Sequence, residues 1–246
     1  GNTENGIYAN TPGLTVVSNQ VDTNGRYGIN VYAVAVPATT SNRTLQTTNP
    51  FFTLQSSIIR NNGNILGGSQ EVLFTASHTG DYTVTMSGNT ITHDMSPVAP
   101  TTTMDSNAPL QQAPAPRSND GVLIRTIPIG NGARLFMTAL NNTISLTNVT
   151  NSATTPLLSD MHVDWNGPVA SGFIEGNTFN FGVGSGEGLI VNLASVTATE
   201  QGSLFHIAGN TFSSPRGIAT TGIDVTTAGA PATILIGDLD GFAGNV

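Results

Sequence analysis

Residues 173–179 read FIEGNTF, and residues 205–212 read FHIAGNTF. In both stretches a short run rich in apolar residues leads to Asn, and a Phe follows two positions after that Asn. The same pattern occurs at residues 14–21, 84–91 and 137–144, where the large residue after Asn is Val or Ile. A motif that returns along most of a chain predicts a repeat architecture.

A second kind of run alternates with the first and is often opened by Gly. Its clearest examples are residues 28–31, GINV, residues 188–191, GLIV, and residues 222–225, GIDV. Both kinds of run are short, alternate with period two and favour Val, Ile, Thr and Phe, so they predict β-strands. No segment combines a helical period with capping residues, and the sequence therefore predicts an all-β protein.

The Asn of the first motif is expected at a corner between strands. Gly and Asn tolerate the left-handed conformation that such a corner requires, and stacked Asn amides can bond one another along an axis. A looser copy at residues 58–65 contains one additional residue. The predicted corner asparagines are Asn19, Asn89, Asn142, Asn177 and Asn210. The predicted inward column two positions later is Val21, Ile91, Ile144, Phe179 and Phe212.

These residues resemble the right-handed parallel β-helix proteins, which include pectate-lyase-like enzymes, phage tailspikes and bacterial autotransporter passengers. The resemblance covers most of the chain, from Asn5 to about Phe242, and is closest to an autotransporter passenger or surface adhesin. It implies a solenoid whose turns stack and bury their apolar edges on one another. An antiparallel β-sandwich with short strands is the alternative, because turn spacing alone does not distinguish the two folds.

The whole chain, residues 1–246, is predicted as a single β-helix domain with two long insertions. Residues 32–52 are rich in Thr, Asn and Pro, and residues 92–120 hold five of the 13 prolines. Both segments lack apolar periodicity and are predicted to protrude as loops. Strands are expected close to both ends without capping helices, so we expect a segment of a longer protein or one that associates end to end.

The composition narrows the classes of function. The 7 basic residues are all Arg, and the 15 acidic residues give a net charge of −8. A net-acidic chain without Lys is a poor ligand for nucleic acid, which requires clustered cations. No run of 18 apolar residues predicts a membrane span. The absence of Cys excludes disulfides and thiolate metal sites, and the sequence predicts no cofactor and no metal.

The predicted strand registers bring polar residues together on one outer face. If the second kind of run stacks in register, Tyr8, Asn30, Leu73, Leu123, His162, Ile190 and Asp224 form one outward column. Two positions further, Arg125, Asp164 and Asn192 are expected on neighbouring rungs. The simplest interpretation of this face is a solvated surface on which Asp164 pairs with Arg125.

The strand that contains Asp160, His162 and Asp164 carries the densest chemistry. Strict alternation would place all three side chains on one face, where they could perform acid–base chemistry on a glycan with a further acid from a neighbouring turn. The candidate catalytic residues are Asp160, His162, Asp164, Glu175 and Arg125. The chain has no Lys and no dense Asp cluster, so it departs from the calcium-dependent pattern of pectate-lyase-like enzymes. Residues 182–188, GVGSGEG, lack the Lys of a phosphate loop and are predicted as a coil corner.

The sequence favours a non-catalytic protein that is secreted or displayed on a bacterial cell surface. Its expected role is that of an adhesin, autotransporter-type passenger or filament subunit whose partner is a cell-surface or matrix ligand such as a glycan. Tyr8 and Tyr32 are candidates for stacking on sugars. The alternative is a polysaccharide lyase or glycoside hydrolase of the tailspike or pectinase type. An ice- or mineral-binding solenoid is a third hypothesis, which would require a flat Thr array.

Overall fold

The computed structural model describes residues 5–34, 49–62, 70–94, 120–127, 133–147, 158–181, 186–194, 203–213, 221–228 and 232–237. Within these ranges every regular element is a β-strand. In chain order the strands are β1 (Ile7–Asn10), β2 (Gly13–Val17), β3 (Gln20–Asp22), β4 (Ile29–Ala33), β5 (Phe51–Gln55), β6 (Ile58–Arg60), β7 (Val72–Ala76), β8 (Gly80–Ser87), β9 (Thr90–Asp94), β10 (Val122–Thr126), β11 (Ala133–Leu140), β12 (Thr143–Thr147), β13 (Leu158–Asn166), β14 (Val169–Glu175), β15 (Thr178–Phe181), β16 (Gly186–Ala194), β17 (Ser203–Ala208), β18 (Thr211–Ser213), β19 (Ile223–Ala228) and β20 (Ala232–Ile236).

The strands form three sheets in which hydrogen-bonded neighbours are always three strands apart in sequence. Sheet A has seven strands, in the order β1-β4-β7-β10-β13-β16-β19. Sheet B has seven, β2-β5-β8-β11-β14-β17-β20, and sheet C has six, β3-β6-β9-β12-β15-β18. The described strand pairs are parallel in all three sheets. The all-β prediction is confirmed, and this order is compatible with a parallel β-helix, whereas an antiparallel sandwich fits it less well.

The core lies between the three sheets and is formed by columns of apolar side chains in register. On sheet A, Ile29 pairs with Val72 and Met161 pairs with Leu189, as the sequence predicts. On sheet C, Ile144 lies between Ile91 and Phe179, and all three side chains are fully buried. Val, Ile and Leu suit these positions because branched side chains fill a surface that is stacked on both sides.

A chain of aromatic rings runs through the core across several turns. Phe52 stacks on Phe74 with ring centroids 6.0 Å apart, and Tyr82 meets Phe74 edge-on at 6.3 Å. Trp165 packs edge-on against Tyr82 at 6.0 Å and donates its indole N–H to the carbonyl of Ala133, at 2.9 Å. The buried Trp therefore has its polar atom satisfied, which is the condition for placing it in a core.

The structure corrects two details of the predicted repeat. The member of the second turn is not at residues 58–65, because Ser57 occupies the position equivalent to Asn89 and donates its backbone N–H to the Asn89 side-chain oxygen at 3.0 Å. The left-handed residue is also not the corner Asn itself. Positive φ angles of 49° to 64° occur one position earlier, at Ser18, Ser56, Gly88, Asn141, Gly176 and Gly209.

Strands extend into the margins of both predicted loops. Tyr32 belongs to β4, Phe51 and Phe52 begin β5, and Thr92 lies within β9. The remaining parts of the predicted loops, residues 35–48 and 95–119, lie outside the described residues. No helix in the described part of the chain is long and apolar enough to cross a membrane.

Candidate functional site

Four of the corner asparagines form a continuous ladder of buried amides along sheet C. Asn89 donates its side-chain N–H to Asn142 Oδ1 at 2.8 Å, Asn142 donates to Asn177 at 2.9 Å, and Asn177 donates to Asn210 at 3.0 Å. Each of these four residues is at most 1% exposed. Asn19 lies at the exposed end, where its side chain bonds the carbonyl of Val17. The four buried asparagines hold neighbouring turns together and are not accessible to a ligand.

A second, shorter ladder lies at the carboxyl ends of the sheet C strands and was not predicted from the sequence. Asn24 donates its backbone and side-chain N–H groups to Asn62 Oδ1 at 2.9 and 2.7 Å. Asn62 in turn donates its backbone N–H and a side-chain N–H to the buried carboxylate of Glu71. His93 Nδ1 lies 3.0 Å from the same carboxylate. Glu71 and His93 are therefore structural, because both are buried and bonded within the scaffold.

The outer face of sheet A carries the main cluster of titratable groups. We call it the acidic face and define it as Asp120, His162, Asp164, Glu187 and Asp224. Asp120 precedes β10, His162 and Asp164 lie on β13, Glu187 lies on β16 and Asp224 on β19. These elements are successive neighbours in sheet A, so the cluster extends over four turns, which are spaced about 4.8 Å apart.

His162 lies at the centre of the acidic face and has a partner at each ring nitrogen. Its Nδ1 is 3.3 Å from Asp120 Oδ2, and its Nε2 is 3.1 Å from Asn192 Nδ2. In the neutral ring, Nδ1–H donates to Asp120 and Nε2 accepts from Asn192. Asp120 is itself fully buried, and its Oδ1 accepts the hydroxyl of Ser159 at 2.6 Å and the backbone N–H of Ser159 at 3.2 Å.

The surrounding charges favour the protonated form of His162. Burial is the largest single influence and lowers the pKa of the imidazole. The hydrogen bond and the charge of Asp120, followed by the charges of Asp164 and Glu187, outweigh it and raise the pKa above its ordinary value. The protonated ring would donate from both nitrogens. The side-chain amide of Asn192 would then be turned so that its oxygen, rather than its nitrogen, faces His162 Nε2.

Glu187 is the unusual carboxyl group of the acidic face. Only 9% of the residue is exposed, and its Oε2 has no hydrogen-bond partner. Burial and the neighbouring charge of Asp224 raise the pKa of this carboxyl group, although His162 opposes the shift. A buried carboxylate oxygen without a partner costs free energy, which a proton or a bound cation would recover.

The structure separates the residues that the sequence grouped together. Asp160 does not share the face of His162, because it is fully buried at the corner between sheets C and A, where Oδ1 accepts the Leu146 N–H at 2.9 Å. Burial raises the pKa of Asp160 well above its ordinary value. Glu175 lies on sheet B and bonds His206 Nδ1 at 2.7 Å. Neither residue can reach a ligand bound on the outer face of sheet A.

Arg125 and Asp164 are register neighbours on sheet A, as the sequence predicts. The described structure shows no ion pair between them. Arg125 instead lies 3.4 Å from the hydroxyl of Thr75 through Nε, and Asp164 is exposed. Tyr8 is 61% exposed on the same face, at its other end, and Tyr32 is half-buried on the adjacent strand.

Three residues of the outward column are apolar and nearly buried: Leu73, Leu123 and Ile190. Leu123 and Ile190 pair with His162 from the turns on either side and are only 3% and 4% exposed. They shield the imidazole above and below and so strengthen its interaction with Asp120. No three His, Cys, Asp or Glu side chains of the described residues are arranged to hold a metal ion.

Comparison with known proteins identifies no relative. No protein-family model, no curated protein and no solved structure matches this chain.

Proposed function

We propose that this chain is a right-handed parallel β-helix that acts outside the cell, or on a bacterial cell surface, as a non-catalytic adhesive module. Its ligand is a glycan of a cell surface or matrix, and the outer face of sheet A is the binding surface. The parallel three-sheet order supports the fold, because the strands are stacked in the register that such a helix requires.

One observation favours binding over catalysis. Both ring nitrogens of His162 are within hydrogen-bond distance of groups in the protein, Asp120 and Asn192. A general acid or base must have a nitrogen or oxygen within reach of the proton that it transfers to or from the substrate. The best-placed titratable group of the face is thus used to hold neighbouring strands. Asp164 and Tyr8 remain exposed on the same sheet and are available for contacts with a ligand.

A second candidate function is that of a polysaccharide lyase or glycoside hydrolase. The raised pKa of Glu187 favours it, because a carboxyl group that keeps its proton can act as a general acid. Asp224, on the neighbouring strand β19, is a second carboxyl group that acts on Glu187 through its charge. A mechanism with two carboxyl groups would require such a partner.

The experiment that separates the two functions measures binding and cleavage in the same samples. The chain is incubated with immobilised neutral, acidic and amino polysaccharides, and the supernatant is assayed for new reducing ends and unsaturated products. We expect retention on at least one polysaccharide without released product. Release of oligosaccharides that stops in Glu187→Gln, but continues in the sheet B control Glu175→Gln, would overturn the adhesive function and establish the enzymatic one.

A further inference from the structure

The acidic face has an excess of negative charge at the place where Glu187 is left without a partner. Asp120 and Asp224 both act on the Glu187 carboxyl group through their charges. His162 opposes the effect of these two charges on Glu187, and it is already bonded to Asp120. Arg125 is directed towards Thr75 on the preceding turn. The face as a whole therefore attracts cations and repels polyanions such as polyuronates.

The missing partner of Glu187 is a hydrogen-bond donor. Its Oε2 is buried and unbonded, whereas the other buried acid of this face, Asp120, has both oxygens occupied. Among the described residues, no three His, Cys, Asp or Glu side chains come together to hold a metal ion. An organic ammonium group needs only one or two carboxylates and a few polar neighbours, so it suits this arrangement.

We propose that the acidic face binds an amino sugar, with the ammonium group of the sugar beside Glu187 Oε2 and close to Asp224. This inference rests on the proposed glycan-binding function and names the class of glycan: one with free primary amines. Asn192 and the exposed Thr226 are register neighbours on β16 and β19, two positions after Ile190 and Asp224. They provide amide and hydroxyl groups for the sugar hydroxyls. A lysine-rich peptide offers ammonium groups without such hydroxyls and would leave these groups unused.

The same site makes binding dependent on pH. Burial and Asp224 raise the pKa of Glu187, and a bound ammonium group would lower it again. Amino-sugar binding should therefore release a proton from Glu187 at acidic pH and strengthen as the pH rises through the pKa of this group. Asp120, His162, Asp164, Asp224 and Arg125 are the other charged groups on this face.

The test measures the affinity of the full chain for four ligands of equal length by isothermal titration calorimetry. The ligands are a glucosamine hexamer, its N-acetylated form, a galacturonate hexamer and a lysine hexapeptide. We expect the glucosamine hexamer to bind at least about tenfold more tightly than each of the others, which corresponds to about 1.4 kcal/mol. Glu187→Gln and Asp224→Asn should each lose about tenfold in affinity, whereas Glu175→Gln on sheet B should stay within about twofold.

The outcomes distinguish this inference from the function on which it rests. Equal affinity for the acetylated hexamer or the peptide, or equal losses in Glu187→Gln and Glu175→Gln, would overturn the amino-sugar assignment. Binding of neutral glycans alone would leave the adhesive function standing and overturn the inference. Cleavage of the glucosamine hexamer that depends on Glu187 would support the ligand class and overturn the non-catalytic function. Far-UV circular dichroism of each variant verifies that it is folded.

Discussion

The side chain of a single ladder asparagine forms hydrogen bonds with four backbone and side-chain groups in the buried core. Asn142 Oδ1 accepts the backbone N–H and the side-chain N–H of Asn89, at 3.1 and 2.8 Å. Its own amide donates to the carbonyl of Met86 and to Asn177 Oδ1, at 3.1 and 2.9 Å. Aspartate at this position would lose both side-chain donors. Alanine would lose all four of these bonds, although Asn177 Oδ1 would keep the backbone N–H of residue 142 and the Asn89 amide would keep the Leu54 carbonyl.

The first prediction concerns this ladder. Asn142→Ala should lower the free energy of unfolding by about 3 kcal/mol, because buried polar groups left without partners cost about 1–3 kcal/mol each. Asn19→Ala is the matched control, since Asn19 is exposed and bonds only locally through its side chain; we expect it to cost less than about 0.5 kcal/mol. Urea titration followed by circular dichroism gives both values. Equal losses would show that the ladder adds nothing to stability.

Asp160 provides a prediction about pH. Its folded-state pKa is raised above the unfolded value of about 3.9, so the folded protein binds this proton more tightly. The stability that it contributes is complete below about pH 3.9 and is lost as the pH rises through the folded-state pKa.

Asp160→Asn should remove that loss. Between about pH 3.9 and the folded-state pKa of Asp160, the stability of this variant relative to wild type should rise by up to about 1.4 kcal/mol per pH unit. The reason is that the amide oxygen still accepts the Leu146 N–H but carries no charge. Urea titrations at several pH values give the comparison. A variant whose stability runs parallel to wild type at every pH would show that Asp160 is ionised without penalty.

At the scale of strands, the inward columns of sheet A could be predicted from the sequence. Alternation with period two determines which side chains face the core, and a shift of register by one residue would expose Val and Ile. The acidic face was predicted only in part. His162 and Asp164 were found because they share a strand with clear alternation. Asp120 closes a segment with the composition of a loop, and Glu187 lies in the Gly-rich residues 182–188, so their partners on neighbouring strands could not be deduced from local pattern.

The corner repeat shows the same division. Ser57 replaces Asn in the second turn, and a search for Asn therefore shifts that turn to the wrong residues. Asp160 departs from strict alternation, and it has no partner in the register that pairs Ser159 with Glu187 and Met161 with Leu189. Hydrophobic alternation predicts which side chains enter the core, whereas such a local departure depends on contacts with neighbouring turns.

Strand β14 contains a glycine whose missing side chain makes room for an aromatic ring. Gly172 pairs with Phe205 on β17, and a Cβ at Gly172 would lie 2.4 Å from the Phe205 ring. Gly172→Ala should cost about 2 kcal/mol, as expected when a packed core is overfilled. Gly222→Ala is the control, because its Cβ would meet Phe212 at an ordinary 3.5 Å; a cost below about 0.5 kcal/mol is expected. Similar unfolding midpoints for the two variants would contradict this packing.

The described strands form a stack in which each set of three strands pairs with the sets before and after it. Three strand pairs join consecutive turns, for example β7 with β10, β8 with β11 and β9 with β12. The stability of such a stack is approximately the sum of the turns and the interfaces between them. A break in the covalent chain between two turns removes none of these interfaces.

The last prediction follows from this arrangement. A protease site inserted after Asp105, between β9 and β10, should be cut without loss of structure. The two fragments should elute together in gel filtration and keep their far-UV circular dichroism, because β10, β11 and β12 remain paired with β7, β8 and β9, and Asn89 remains bonded to Asn142. The same site inserted after Thr138, within β11, is the control and should abolish the strand pairs to β8 and β14. Separation of the fragments on cleavage after Asp105 would mean that the chain connection, rather than the stacked interfaces, holds these turns together.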